Sequence, residues 1–141
     1  LHIIGPWEKR DGISEETFDI IRNHPSIRFF DYVADSAPLY NEMDVFILPS
    51  YREGFGMAIL EASASGLPII TTRSTGCINA IQENVTGIYT EITSNKIAEA
   101  IDYYYRNPQL RHEHGNNGVT FVKNNFSEQT LFVEIEKKVL S

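Results

Sequence analysis

The stretch that most constrains the fold is residues 45–70, VFILPSYREGFGMAILEASASGLPII. It opens with a continuous apolar run over residues 45–48, which is typical of a parallel strand covered on both faces. Pro49 ends this strand because proline has no N–H to donate to a sheet. A loop containing two glycines follows, then a helix over residues 57–65 that ends at Gly66, then a second apolar strand. The pattern predicts a βαβ unit of a parallel sheet.

Two acids stand eight residues apart in this stretch, Glu53 in the loop and Glu61 in the helix. At about 3.6 residues per turn, Glu61 lies roughly two turns into the helix. We expect both side chains to point towards the crevice beyond the carboxyl end of the strand, where open α/β sheets bind ligands. A carboxylate accepts hydrogen bonds from neighbouring hydroxyls, which suits a sugar or ribose diol. The alternative is a solvated loop acid and an acid on the helix surface.

The loop between the acids also suits a ligand. Gly54 and Gly56 bracket Phe55, so the backbone can adopt positive φ there and approach a bound molecule closely. The unpaired amides of residues 54–57, at the start of the helix, suit an anion or sugar oxygens.

Strands and helices alternate over most of the chain and give way to helices alone after Thr90. The sequence predicts strands at residues 1–5, 27–30, 45–48, 69–71 and 87–89 and helices at 14–24, 38–43, 57–65, 95–106, from 108 to a break at Gly115–Gly118, and from Ser127 onwards. Alternation at this spacing predicts βαβ units and a parallel sheet.

The composition excludes several classes of protein. The chain has 141 residues and a net charge of −7, and its scattered Lys and Arg argue against the basic stripe of a nucleic-acid-binding surface. The single cysteine, Cys77, cannot form an internal disulfide, which favours a reducing compartment. No apolar run approaches the roughly 18 residues needed to span a bilayer. Since the chain opens on Leu1 inside an apolar run, we expect a piece of a longer protein.

Nine residues of the central stretch stand in the order of a known signature: Pro49, Ser50, Glu53, Gly54, Phe55, Gly56, Glu61, Gly66 and Pro68. This ordered set resembles the nucleotide-binding signature of family 4 of the retaining glycosyltransferases, which have the GT-B fold. The resemblance implies a Rossmann-like, doubly wound parallel sheet over residues 1–141, the C-terminal donor-binding half of such an enzyme. It also implies that the first strand and helix of this half, with an Arg and a Lys that hold the donor diphosphate, are missing from the chain, as is the N-terminal acceptor domain.

The resemblance assigns roles to residues of the motif. Glu53 would touch the transferred sugar, and Glu61 would bind the ribose hydroxyls. The backbone of Phe55, Gly56 and Met57 would line the sugar and phosphate subsite. Ser50 and Gly54 belong to the same donor-binding set.

Two further segments are implicated by the resemblance. The loop over residues 31–36, which contains Val33, would pack its backbone against the nucleobase, although Asp31 stands where the family usually has glycine. After the fourth strand, Asn79 stands in place of the family's usual acid. Arg73 lies beside that segment and is a candidate for contact with phosphate, with an ordinary surface arginine as the alternative.

By resemblance, the intact enzyme moves a hexose from a UDP- or GDP-linked donor to a glycan or lipid-linked acceptor with retention, in capsular or lipopolysaccharide biosynthesis. It would be cytoplasmic, with any contact at the inner face of the membrane made through the missing domain. The isolated piece is expected to bind donor weakly and transfer nothing.

No cofactor or metal is expected, since the sequence has no Asp-x-Asp pair and the run His112-Glu113-His114 is interpreted as a solvated stretch of helix. The alternatives are a GT-B epimerase or phosphorylase, and a non-enzymatic nucleotide- or protein-binding Rossmann-like domain.

Overall fold

The computed structural model describes residues 1–6, 12–54 and 56–127. The chain divides into two compact units, Leu1–Leu39 and Tyr40–Ser141. Its elements, in chain order, are β1 (His2–Ile4), α1 (Glu15–Asn23), β2 (Arg28–Phe30), α2 (Ala37–Tyr40), β3 (Phe46–Leu48), α3 (Met57–Ala64), β4 (Ile69–Thr71), β5 (Gly87–Tyr89), α4 (Ser94–Arg106) and α5 (Pro108–Phe126). All five predicted strands are confirmed. The helix predicted from Ser127 onwards falls on residues 128–141, outside the described ones.

The first unit contains a two-stranded parallel sheet, in which Ile3 of β1 is opposite Phe29 of β2. Helix α1 begins where the sequence predicts, because the Ser14 side chain accepts a hydrogen bond from the Thr17 amide at 3.2 Å. The ring of Phe18 on α1 contacts Phe29 edge-on, with 5.8 Å between ring centroids. The first unit is therefore a parallel strand pair with the connecting helix packed on it.

The second unit contains a three-stranded parallel sheet in the order β3-β4-β5. All three residues of the central strand β4 are fully buried. Ile69 packs into a core that includes Ile59 and Leu60 of α3, whereas Ile70 belongs to a separate core with Ala100 and Tyr104 of α4. Because helices cover both faces of the sheet, the predicted doubly wound α/β architecture is confirmed.

The prediction that Gly115–Gly118 break a helix is wrong. Helix α5 runs without interruption through both glycines, although each glycine costs a helix roughly 1 kcal/mol relative to alanine. A Cβ on Gly115 would overlap the backbone carbonyl of Gly66, which follows α3, and a Cβ on Gly118 would lie 3.5 Å from that of Ser63. These glycines therefore allow α5 to approach α3 closely.

Among the helices that the structure describes, none combines the length and apolar character that crossing a membrane requires.

Candidate functional site

The loop between β3 and α3, residues 49–56, carries the sequence motif. Gly56 lies at the N-terminal cap of α3 with φ of 64°, a left-handed conformation that glycine adopts without steric cost. Its carbonyl accepts the first helical hydrogen bonds, from the amides of Ile59 at 2.9 Å and Leu60 at 3.2 Å. The predicted positive φ is thus confirmed at Gly56. Gly54 does not share it, and a Cβ there would meet only open space.

Two threonines, the last residue of β4 and the residue after it, bond the end of β3 and the start of this loop. The hydroxyl of Thr71 donates to the carbonyl of Leu48 at 2.9 Å. The hydroxyl of Thr72 donates to the carbonyl of Ser50 at 2.5 Å and accepts from the Ser50 amide at 3.2 Å. Sequence reasoning missed both threonines. The signal that could have indicated them is a pair of hydroxyl residues at the end of the strand that is expected to lie beside β3. The backbone of Ser50 is therefore fixed from the neighbouring strand.

The hydroxyl of Ser50 is used within the loop itself. It donates to the carbonyl of Arg52 at 2.7 Å and accepts from the Arg52 amide at 3.2 Å. Such a local serine bond replaces a backbone turn. The structure thus assigns Ser50 a role in shaping the loop, and its predicted contact with a donor stays a prediction.

A second loop, residues 74–80, packs against the motif loop. A Cβ on Gly76 would overlap the carbonyl of Glu53 and would lie 2.7 Å from the carbonyl oxygen of Gly54. The two loops border a cavity of about 60 Å³, lined by Gly54, Leu60, Thr75, Gly76, Asn79, Ala80 and Phe126. This volume accommodates one or two waters or a hydroxyl group but is far below the roughly 300 Å³ of a small-molecule pocket.

Glu61 is the only charged residue of α3, and its side chain is exposed. Its Oε2 accepts a hydrogen bond from the hydroxyl of Tyr40 at 3.1 Å. The Tyr40 residue is only 4% exposed, and its ring contacts Phe46 of β3 edge-on, with 5.9 Å between centroids. A core tyrosine thus holds the second acid of the motif. Sequence reasoning missed Tyr40, since nothing local indicates its partner.

The remaining motif residues are placed as follows. Glu53 is half-buried. Met57, the first residue of α3, is 56% exposed. Phe55 lies outside the described residues. Val33 is half-buried in the first unit, in the loop after β2. That Glu53 and Glu61 converge on one ligand, and that the loop of Val33 meets a nucleobase, stay predictions.

Arg73 is engaged with neighbouring side chains. Its Nη2 lies 2.6 Å from each carboxylate oxygen of Glu83, and its guanidinium carbon is 4.4 Å from the centroid of the Tyr89 ring. Both members of the ion pair are exposed. Arg73 can bind a phosphate, as predicted, only if it gives up its ion pair with the Glu83 carboxylate.

The interpretation of residues 112–114 as a wholly solvated stretch is wrong for His114. His112 and Glu113 are exposed, but His114 is buried and its Nδ1 shares a 2.8 Å hydrogen bond with the hydroxyl of Tyr104. Burial lowers the pKa of His114, although the charge of Glu113 and a hydrogen bond to the backbone of Asn84 oppose this shift. His114 is therefore a core residue whose neutral form is favoured by burial.

A shallow depression of about 640 Å³ runs along α5 and is lined by Pro108, Gln109, His112, Glu113, Asn116 and Asn117. Because all of its lining residues belong to one helix, it is the uneven surface of α5 and not a pocket between elements. Within residues 1–6, 12–54 and 56–127, no group of three His, Cys, Asp or Glu side chains could hold a metal ion.

Comparison with known proteins gives consistent results. The family described as "Glycosyl transferases group 1" matches residues 1–107. The capsular polysaccharide biosynthesis glycosyltransferase CapM of Staphylococcus aureus is 36% identical over 137 residues, which are 96% of this chain and 36% of CapM.

Two solved structures share the fold. Anabaena Alr3699/HepE, in complex with UDP, superposes with a TM-score of 0.85 at 22% identity, over 98% of this chain and 40% of HepE. A glycosyltransferase from Rickettsia africae ESF-5 superposes with a TM-score of 0.83 at 26% identity, over 99% of this chain and 40% of that protein. The chain thus spans no more than 40% of the length of each of these three proteins.

Proposed function

Because the chain belongs to the family of glycosyl transferases group 1, we propose that it is the donor-binding half of a retaining, family 4 glycosyltransferase. The intact enzyme would move a hexose from a nucleoside-diphosphate sugar to a glycan or lipid-linked acceptor. The similarity to CapM supports a setting in capsular or lipopolysaccharide biosynthesis. The UDP in HepE supports a nucleotide-linked donor, with UDP and GDP sugars both open.

The observation that carries this proposal is the exposed carboxylate of Glu61 on a helix that begins at a left-handed glycine. Around it, the loop that carries Glu53 is fixed by Thr72 and Gly76. Acids on rigid supports bind a ligand at a lower entropic cost than acids on a loose loop. This arrangement suits the hydroxyls of a ribose and a sugar.

The chemistry of the site would rest on positioning and electrostatics. Glu61 would accept hydrogen bonds from the ribose hydroxyls, and Glu53 would contact the transferred sugar. Helix α3 has no side-chain hydrogen bond at its N-terminal cap, so amides of its first turn, near Met57, are suited to phosphate or sugar oxygens. The protein would thereby hold the reacting groups in line and stabilise the charge of the departing diphosphate.

We propose that donor binding needs no metal ion or cofactor and that the acceptor binds on another domain of the intact protein. This protein would be cytoplasmic, where Cys77, buried and unpaired in this structure, stays reduced. Any contact with the inner face of the membrane would be made by that other domain. Addition of EDTA should leave the affinity for donor unchanged, and a loss of binding that Mg²⁺ restores would contradict metal independence.

The test of donor binding is a titration of the ¹⁵N-labelled chain with UDP and with GDP, followed by NMR because the chain alone is expected to bind weakly. The Glu61→Ala variant should bind at least tenfold more weakly, since a hydrogen bond to a charged group contributes about 1.5–3 kcal/mol. Glu99→Ala is the matched control, because Glu99 is an exposed helical acid that forms an ion pair with Lys96 on the same helix, and exposed pairs of this kind contribute little.

Two outcomes would overturn the proposal. A chain that binds neither nucleotide at millimolar concentrations would favour a non-enzymatic interaction domain. An equal loss of affinity in Glu61→Ala and Glu99→Ala would show that Glu61 has no special role. A measurable turnover by the isolated chain would contradict the narrower expectation that this half alone transfers nothing.

A further inference from the structure

We propose that Tyr40 is a positioning residue for the donor site, which holds the Glu61 carboxylate in the orientation that the ligand requires. This inference rests on the proposed function of Glu61. It starts from one contact between a buried ring and an exposed acid, the 3.1 Å hydrogen bond from the Tyr40 hydroxyl to Oε2 of Glu61. The two residues are 21 positions apart in the sequence and lie in the same compact unit.

The position of the Tyr40 hydroxyl is well fixed. The Tyr40 ring belongs to the core that also contains Leu60 and Ala62 of α3, the two neighbours of Glu61 in the sequence. On the β3 side it contacts the Phe46 ring, and its backbone carbonyl accepts from the Met43 amide at 3.2 Å. A tyrosine ring has only two side-chain torsions, so a ring that is packed in this way places its hydroxyl at one point.

The Glu61 side chain, in contrast, gains order from such a partner. Glutamate loses much rotamer freedom when it is fixed, and Glu61 is exposed on α3. A carboxylate offers about four acceptor sites, so a bond from Tyr40 remains compatible with two bonds from a ligand diol. The tyrosine therefore orders the acid before the ligand arrives and reduces the entropy that binding must remove.

A purely structural account of the same contact is possible. A buried tyrosine hydroxyl requires a hydrogen-bond partner, and on this account Glu61 serves only that need. The two accounts differ in a measurable way. If Glu61 only satisfies Tyr40, removal of the hydroxyl affects stability alone, whereas the positioning role also requires a loss of affinity that depends on Glu61.

The test is a double-mutant cycle with Tyr40→Phe and Glu61→Ala, read by NMR titration with UDP and GDP and by the thermal unfolding midpoint. We expect Tyr40→Phe to raise the Kd about three- to tenfold. In this variant the ligand has to immobilise the Glu61 side chain itself, and a change of this size corresponds to the cost of immobilising one side chain on binding. In the Glu61→Ala background, the same substitution should leave the Kd unchanged.

Tyr104→Phe is the matched control. Tyr104 is likewise a buried tyrosine, and its hydroxyl is hydrogen-bonded to the His114 side chain at 2.8 Å. Removal of this hydroxyl should lower the unfolding midpoint and leave the nucleotide affinity unchanged. An equal loss of affinity in Tyr104→Phe and Tyr40→Phe would overturn the positioning role, because both effects would then follow from stability.

The remaining outcomes separate this inference from the proposed function. Wild-type protein that binds neither nucleotide overturns the proposed function and this inference with it. If wild type binds, Glu61→Ala weakens binding and Tyr40→Phe does not, only the positioning role fails. A measurement on wild-type protein without ligand keeps the inference testable if a variant folds poorly. The three-bond NMR couplings of the Glu61 side chain should show a single χ1 rotamer. Couplings averaged over several rotamers would overturn the inference.

Discussion

The substitution Gly76→Ala tests how the two loops of the site support each other. A Cβ at this position would lie 2.6 Å from the carbonyl carbon of Glu53 and 2.7 Å from the carbonyl oxygen of Gly54, whereas ordinary contacts begin at 3.4 Å. Both atoms belong to the backbone, so no side-chain rotation relieves the overlap. Gly76 has no positive φ, and alanine can therefore adopt its backbone conformation. The effect is purely steric, and one loop must move by about 1 Å or more to restore an ordinary contact.

The cost of this movement can be estimated. Overpacking of a close-packed region costs about 1–3 kcal/mol, and the lower entropy of alanine in the unfolded chain offsets roughly 0.4–1 kcal/mol of it. We expect a net loss of about 1–2 kcal/mol in the free energy of unfolding, or a midpoint lower by roughly 3–8 °C. Since Glu53 lies in the displaced loop, donor affinity should fall by about tenfold or more, as shifts near 1 Å have large effects on ligand geometry.

Chemical denaturation measures the first quantity, and NMR titration with UDP and GDP measures the second. Gly118→Ala provides the control, because a Cβ there would meet Ser63 atoms at 3.4 Å or more. In the interior of α5 this alanine should stabilise the protein by about 0.5–1 kcal/mol. If Gly76→Ala unfolds at the wild-type denaturant concentration or above, or binds nucleotide as wild type does, the close contact between the loops has no energetic role.

Three further predictions concern stability. Gly115→Ala should destabilise the protein by about 1–2 kcal/mol in denaturant unfolding, because its Cβ would overlap the carbonyl of Gly66; a stabilised variant would show that α5 can move away at no cost. Thr72→Val removes the hydroxyl that bonds both backbone groups of Ser50 and should cost about 1–3 kcal/mol in the same measurement; an unchanged midpoint would contradict the role of the hydroxyl. Burial lowers the pKa of His114, so its contribution to stability should be complete above the ordinary imidazole pKa of about 6.5 and should decrease as the pH falls below it. Unfolding at pH 7.5 and 5.5 should show a smaller pH dependence in His114→Gln than in wild type, and an equal dependence would contradict this assignment.

The sequence predicted those parts of the fold whose physical causes are local. The apolar run at residues 45–48 and Pro49 predict a buried strand that ends, and β3 ends at Leu48. Ser14 predicts the start of α1, and its side chain accepts the expected amide. In each case the residues that determine the element lie inside or beside it, so periodicity and capping rules are sufficient.

The sequence did not predict features that depend on a distant partner. Glycine is a poor helix former, so its local propensity predicts a break at Gly115. In the structure its lack of a Cβ instead allows close approach to Gly66, about 50 residues earlier. Likewise, the hydroxyls of Thr72 and Tyr40 form hydrogen bonds with groups more than 20 residues away in the sequence. A motif search finds residues that could contact a ligand, because these residues lie close together in the sequence and in a fixed order. It does not find the residues that position them, because those lie far away in the sequence and come close only when the chain folds.

This distinction leads to a general expectation for the site. Glu61 is exposed and would contact the donor directly, so its replacement should lower ligand affinity, and any loss of stability should be limited to that of the hydrogen bond from Tyr40. Gly76 and Thr72 act on the backbone of the motif loop, so their replacement should change stability and affinity together. Tyr40 should combine the two behaviours, with a stability cost that is independent of ligand and an affinity cost that disappears when Glu61 is absent. The ratio of the two measured effects, compared across these four positions, therefore separates residues that contact the donor from residues that position them.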